Sequence, residues 1–222
     1  LTHPPRLDSA SIPSLVSMMR REVANWIFVG AVMWLSYPSR LPPRKGLLNS
    51  PIARVAITVR LRNGLRIRCR ILELQAFLEI FLDGAYEQSA VPWKDVRTIV
   101  DVGANAGVAT IWFAGRAPSA TVISIEPSPD VLPLLTANVS RNALDDRVRV
   151  VPMALGASPG SARMEPGRSS LLMRTRAAGE EVGPDCVPVC TLSQVLNDYE
   201  TVDVLKLDIE GSEYDVLASA DE

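Results

Sequence analysis

From residue 97 onward, short apolar runs alternate with segments of helical spacing, and that alternation leaves few architectures open. Strands are predicted at residues 98–102, 121–126, 148–152, near 187–191, and at 202–208. Between them the spacing predicts helices at 107–115 and about 130–142, a short helix from Ser193, and a last helix opening at Gly211 or Ser212. Strands separated by helices indicate a parallel sheet covered on both faces. Right-handed crossovers make such a sheet doubly wound, and its ligands bind outside the carboxyl ends of the strands.

Upstream the pattern is different. In RVAITVRLRNGLRIRCRI (54–71) apolar residues alternate on either side of Asn63-Gly64. This predicts a hairpin with both turn residues at positive φ and the arginines on the outer face. A helix is expected over 71–86, stopping at Gly84. The first 50 residues form an extension whose run 23–37 is apolar, carries Trp26, Trp34 and Tyr37 near its ends, and is flanked by arginines. It is shorter than the ~20 residues of a membrane span, so an interfacial or buried helix is expected. The chain thus divides as extension (1–50), hairpin and helix (51–96), and α/β domain (97–222).

Charge is unevenly spread. Residues 1–70 carry a balance of +10 and the remainder −12. The basic front suggests a polyanion or an anionic membrane surface as neighbour, or simply solvated arginines. Cys69, Cys186 and Cys190 are too scattered for a disulfide framework, so a reducing, cytoplasmic location is expected, with membrane association through 23–37. The single histidine, His3, leaves no His-based triad or His-type zinc site, and no metal site is expected. A general base must then be a carboxylate, lysine, tyrosine or the substrate itself.

Two motifs carry chemistry. IVDVGANAG (99–107) lies where a strand gives way to a helix. The dinucleotide fingerprint would need glycine at 105 and 108, where Asn105 and Val108 stand. Asp101, two residues before Gly103, would repel a pyrophosphate and suits a cofactor with an amino group and no phosphate. Glu126 ends the next strand, where a carboxylate can accept from both hydroxyls of a ribose.

Residues 97–219 resemble the FkbM family of S-adenosylmethionine-dependent methyltransferases. The resemblance rests on VDVGANAG (100–107), VISIEPSP (122–129), Asn138, VPMALG (151–156), TLSQVL (191–196) and VDVLKLDIEGSEYDVL (202–217). The last, Lys-x-Asp-x-Glu-Gly-x-Glu, is the specific one. The resemblance implies a Rossmann-like class I methyltransferase sheet with S-adenosylmethionine as cofactor. It implies that Gly103, Asn105 and Gly107 shape the methionine end of the site, that Asp101 anchors it, and that Glu126 holds the ribose. The segment around Met153 and Ala154 would lie near the adenine. Asp208, Glu210 and Glu213 would face the transferred methyl and the acceptor, and Ser170 is a further substrate-contact candidate.

Asp208 and Glu210 also stand out on physical grounds. They put two carboxylates beside the crevice that the first glycine turn lines. Methyl transfer needs an acceptor oxygen ~3 Å from the methyl and a group to remove its proton. Glu213 has a structural alternative, since an acid in a first turn favours the helix dipole and Ser212-x-x-Asp215 resembles a capping box. Lys206, inside an apolar strand, is a candidate partner for a carboxylate. The chain ends one turn into the helix after the fourth strand of this sheet. The expectation is a fragment, or a sheet completed by a partner.

The sequence thus points to O-methylation of a hydroxyl on a sugar, glycolipid or secondary metabolite, with a small-molecule or glycan partner and no nucleic acid. N- or C-methylation is the alternative chemistry. A cofactor-binding or membrane-surface module without catalysis is the alternative class.

Overall fold

The computed structural model describes residues 55–70, 73–81, 83–87, 90–164, 186–209 and 212–221. The apolar run 23–37, Ser170 and Glu210 lie outside the described residues. Two compact units result, Leu1–Gln88 and Ser89–Glu222.

In the first unit, β1 (Ala56–Arg60) and β2 (Arg66–Arg70) pair antiparallel, with Arg60 opposite Arg66 and Thr58 opposite Arg68. Val59, Leu61, Ile67 and Cys69 are buried on one face. The turn differs from expectation. Gly64 has φ +92°, but Asn63 is not at positive φ. The ladder closes at Leu61 and Leu65, whose N–H and C=O bond at 2.8 Å. A three-residue loop needs only its last residue left-handed, and Gly64 takes that position. Asn63 instead accepts from the Leu65 N–H through its side chain. Helix α1 spans Leu74–Phe81, with Phe77 buried and stacked on Phe81.

The second unit holds the α/β domain. Strands β3 (Thr98–Val102), β4 (Thr121–Ile125) and β5 (Val148–Val151) run parallel. Helices α2 (Val108–Arg116) and α3 (Leu132–Arg141) make the crossovers. The chain then forms a separate three-stranded sheet from β6 (Ala154–Leu155), β7 (Gly160–Arg163) and β8 (Cys186–Cys190), in the order β6-β8-β7. After α4 (Leu192–Leu196) it returns as β9 (Val204–Leu207), and α5 (Glu213–Ala218) comes next. The main sheet reads β5-β4-β3-β9, all parallel. It is a Rossmann-like sheet. Its strand order reverses between β3 and β9, and this switch point is where such sheets bind ligands.

The sheet alternates faces as strands must. Val100, Val102, Ile123 and Ile125 form one core with Leu155, Cys190, Leu192 and Val216. Helix α2 covers the opposite face and is buried over Val108–Ala114. A stripe of Val108, Ile111 and Trp112 is therefore only part of its contact. Among the described residues β9 pairs with no strand on its outer side, and Leu205 there is exposed. At the start of β9, Asp203 accepts from the Arg97 and Thr98 N–H groups at 2.7 and 2.9 Å, which hold its carboxyl below the usual range.

Candidate functional site

The turn after β3 is left-handed at three alternate positions: Gly103 (φ +72°), Asn105 (+50°) and Gly107 (+82°). Two are glycine because a side chain there is strained. Gly103 carries a second constraint. A Cβ at 103 would lie 2.0 Å from the backbone oxygen of Asp208, so the loops after β3 and β9 touch backbone to backbone. At Gly107 a Cβ would meet the end of Leu135 at 2.6 Å. Asn138, fully buried on α3, donates to the Ala106 carbonyl at 2.8 Å and holds the turn from that side.

The amides of this turn are spent inside the protein. Gly103 and Ala104 N–H both bond the Ile125 carbonyl, and Gly107 N–H bonds Ala104. Asn105 N–H goes to Glu126 Oε2 at 2.8 Å, and Ala106 N–H to the Asn105 side chain at 2.7 Å. An anion cradle needs N–H groups turned outward. This turn offers none between 103 and 107, which agrees with a ligand that has no phosphate there.

Glu126, at the tip of β4, is 6% exposed. Its two oxygens accept from Asn105 and Ser128 N–H, both at 2.8 Å. Burial nevertheless raises its carboxyl above the usual range, against those two hydrogen bonds. Each oxygen keeps lone-pair capacity for a ligand hydroxyl.

Asp101 sits beneath the turn rather than on its surface, with no exposure at all. Across the sheet it stands level with Ser124 on β4 and Lys206 on β9. Thr110 from α2 donates to its Oδ2 at 2.6 Å and lies 2.9 Å from the Ser124 hydroxyl. The Lys206 ammonium is 3.0 Å from Oδ1, an ion pair without hydrogen-bond alignment. The same ammonium donates to the carbonyls of Val102 at 3.0 Å and Gly103 at 2.8 Å. A buried carboxylate needs such company, since an isolated one costs several kcal/mol.

Asp208 lies just past the end of β9, with its side chain 68% exposed and one oxygen 3.9 Å from Lys206. Glu213 accepts from the Ile209 N–H at 3.0 Å, so it ties α5 back to the Asp208 loop. Ser212 makes no side-chain cap and sits at φ −99°, ψ 4°, away from the extended conformation a capping residue uses. The capping box at this end of the domain is instead Thr191 with Gln194, opening α4. Its Thr-x-x-Gln spacing was the available signal. Met153 and Ala154 lie just past β5, at the third strand end of the same row. Thr110, Ser124 and Asn138 are polar residues of the site region that periodicity treats as core. Their signal is a polar side chain between two apolar neighbours: Ala109 and Ile111, Ile123 and Ile125, Ala137 and Val139.

The donor set can be tested against S-adenosylmethionine. Its ammonium, two ribose hydroxyls and cationic sulfur favour acceptors or negative charge, while its carboxylate needs a donor, which the side-chain amide of Asn105 can supply. The strand tips supply Glu126 and Asp208, the turn adds Asn105, and the nearby cation, Lys206, is directed at carbonyls. The residues fit the group.

Comparison with known proteins agrees. The chain is 28% identical over 178 residues to methyltransferase sdnD of Sordaria araneosa, covering 66% of this chain and 68% of that protein. It is 25% identical over 166 residues to methyltransferase 1 of Beauveria bassiana, covering 65% and 66%. Over 184 residues it is 24% identical to the AMB antimetabolite synthetase AmbE of Pseudomonas aeruginosa, covering 66% of this chain and 9% of that one. The chain therefore spans about two thirds of the first two relatives and a small part of the third. Residues 101–222, more than half of the sequence, match the methyltransferase FkbM domain, and the chain belongs to that family of S-adenosylmethionine-dependent methyltransferases.

Proposed function

We propose that this chain O-methylates a hydroxyl of a small metabolite, sugar or glycolipid. The observation that carries the reading is the acceptor-lined switch point, where Glu126 is fastened to a turn with no outward amide from 103 to 107. The antimetabolite synthetase relative supports a small-molecule acceptor. Bound S-adenosylmethionine supplies an electrophilic methyl on a cationic sulfur. Glu126 accepts from the ribose hydroxyls. Gly103, Asn105 and Gly107 shape the wall against the methionine end, and the segment at Met153 borders the adenine. Asp208, exposed at the end of β9, orients the acceptor hydroxyl and takes its proton. Glu210 shares that role as a sequence expectation.

The test separates binding from chemistry. Methyl-labelled cofactor is supplied with a panel of hydroxylated, aminated and carbon acceptors. Asp208→Asn is expected to cut turnover of the hydroxyl acceptor by about 100-fold or more, with the cofactor Kd within about twofold of wild type. Transfer to an amine or carbon acceptor alone would replace the O-directed reading.

A second reading concerns the hairpin. Arg60, Arg62, Arg66 and Arg68 are all exposed, and Arg60 stands directly opposite Arg66. Exposed guanidinium groups gathered on one hairpin favour an anionic surface as neighbour. In this reading the hairpin docks the protein on anionic lipid. Co-sedimentation with phosphatidylserine vesicles is expected to weaken roughly 30-fold in Arg60→Gln/Arg66→Gln, at about 1 kcal/mol per charge. Equal binding to neutral vesicles would remove this reading.

A further inference from the structure

We propose that Lys206 is a positioning residue for the cofactor turn, acting as a clamp on its backbone in addition to neutralising Asp101. This rests on the cofactor reading above. Three observations lead to it. The lysine is 9% exposed and is drawn from β9, the strand on the far side of the switch point. It donates to the carbonyls of Val102 and Gly103, the two residues at which β3 gives way to the turn. The carboxylate beside it, Asp101, is within ion-pair distance but lies outside hydrogen-bond alignment. The ammonium thus bonds two backbone carbonyls of the turn while it stands 3.0 Å from the carboxylate.

Both carbonyls need fixing because the chain reverses its conformation at this point. Gly103 is left-handed, and the Asp208 backbone occupies the space where its Cβ would be. A peptide that rotated here would move the turn away from the β9 loop. Lys206 holds the two carbonyls from beneath, and Asp101 pairs with the ammonium at 3.0 Å and keeps it in place. Thr110 and Ser124 hold Asp101 in turn. The chain of contacts runs from α2 through β4, β3 and β9 to the wall at the methionine end. None of these four side chains has to touch the ligand.

Calorimetry with S-adenosylmethionine and S-adenosylhomocysteine tests this, alongside thermal melting. The two ligands share the methionine end and differ in the charge on sulfur. The proteins are wild type, Lys206→Met, and Asp101→Asn/Lys206→Met. In the single variant both ligands are expected to bind about tenfold more weakly or worse, the loss of a charge-assisted hydrogen bond. The double variant strands no buried charge. It is expected to recover most of the lost melting temperature while both ligands stay weakened in equal measure. Recovery of affinity together with melting temperature would reduce Lys206 to a neutraliser of Asp101 and overturn the proposal. So would a change confined to the sulfonium ligand, which would make Lys206 a charge acting on sulfur. If the single variant does not fold, the double variant carries the comparison. A folded wild type that binds neither ligand would remove the cofactor reading itself, an outcome distinct from a double variant that binds normally.

Discussion

Gly103→Ala is expected to abolish cofactor binding and to destabilise the α/β domain by about 3 kcal/mol or more. Two costs combine. A left-handed φ of +72° is strained for any residue with a Cβ, by about 1–3 kcal/mol. The new Cβ would also lie 2.0 Å from the Asp208 oxygen. That neighbour is backbone, so relief requires the turn or the end of β9 to move. Either movement separates Lys206 from the carbonyls it holds. For a chain of this size the melting temperature should fall by roughly 6–12 °C. Gly107→Ala is the useful contrast. Its φ is similarly strained, but its Cβ would meet the flexible end of Leu135, which can yield. That variant should keep measurable cofactor binding. A Gly103→Ala protein that bound as wild type would show that the contact between the two loops is not a condition of the site.

Glu126→Ala is expected to weaken S-adenosylmethionine binding about 100-fold, the equivalent of two hydrogen bonds to a charged acceptor. Titration calorimetry measures it, and a loss of less than about threefold would exclude Glu126 from ribose contact. The pH dependence supplies a second check. Burial raises this carboxyl above the ordinary glutamate range. A group raised on folding contributes stability that is present below its unfolded pKa and lost as pH rises through the folded one. Ionised Glu126 therefore costs the fold something at neutral pH. Binding runs the other way, because the ionised form is the better acceptor. Acidification through the raised value should weaken cofactor binding while this residue's contribution to stability grows. In Glu126→Ala both contributions should vanish. Calorimetry and melting curves from about pH 4 to 8 would show whether the two trends oppose each other.

The order of strands and helices was legible because periodicity reports burial, and the parallel sheet buries its strands on both faces. The strand 98–102 and the return at β9 were readable from that signal. The small sheet was harder. β6 has two residues and β7 contains Gly160 and Ser161, so neither shows alternation long enough to read. Asn63-Gly64 located the hairpin turn but not its type, because one extra loop residue leaves Asn63 free of positive φ. At the site, Glu126 at its strand tip was legible from spacing alone. The place of Asp101 was not, since the same motif fits a residue on the turn or below it. What decides is the register. Asp101, Ser124 and Lys206 each stand between two apolar neighbours in TIVDV, TVISI and VLKL, and they share one row only once the strands are aligned.

That row bears on how the sheet assembles. β9 pairs beside β3 only after the chain has run through β4, β5 and the small sheet, and parallel pairing over such a distance is slow. A slip of one residue would turn Lys206 toward the apolar core of Val100 and Val102 and leave Asp101 buried without a counter-charge. A slip of two would bring Val204 or Asp208 into the row in place of the lysine. Each misalignment also takes Asp203 away from the Arg97 and Thr98 amides. Misregistered intermediates are thus penalised at both ends of the strand. The register that sets the ammonium beneath the ligand turn is the same one that leaves both Asp101 and Asp203 with their partners.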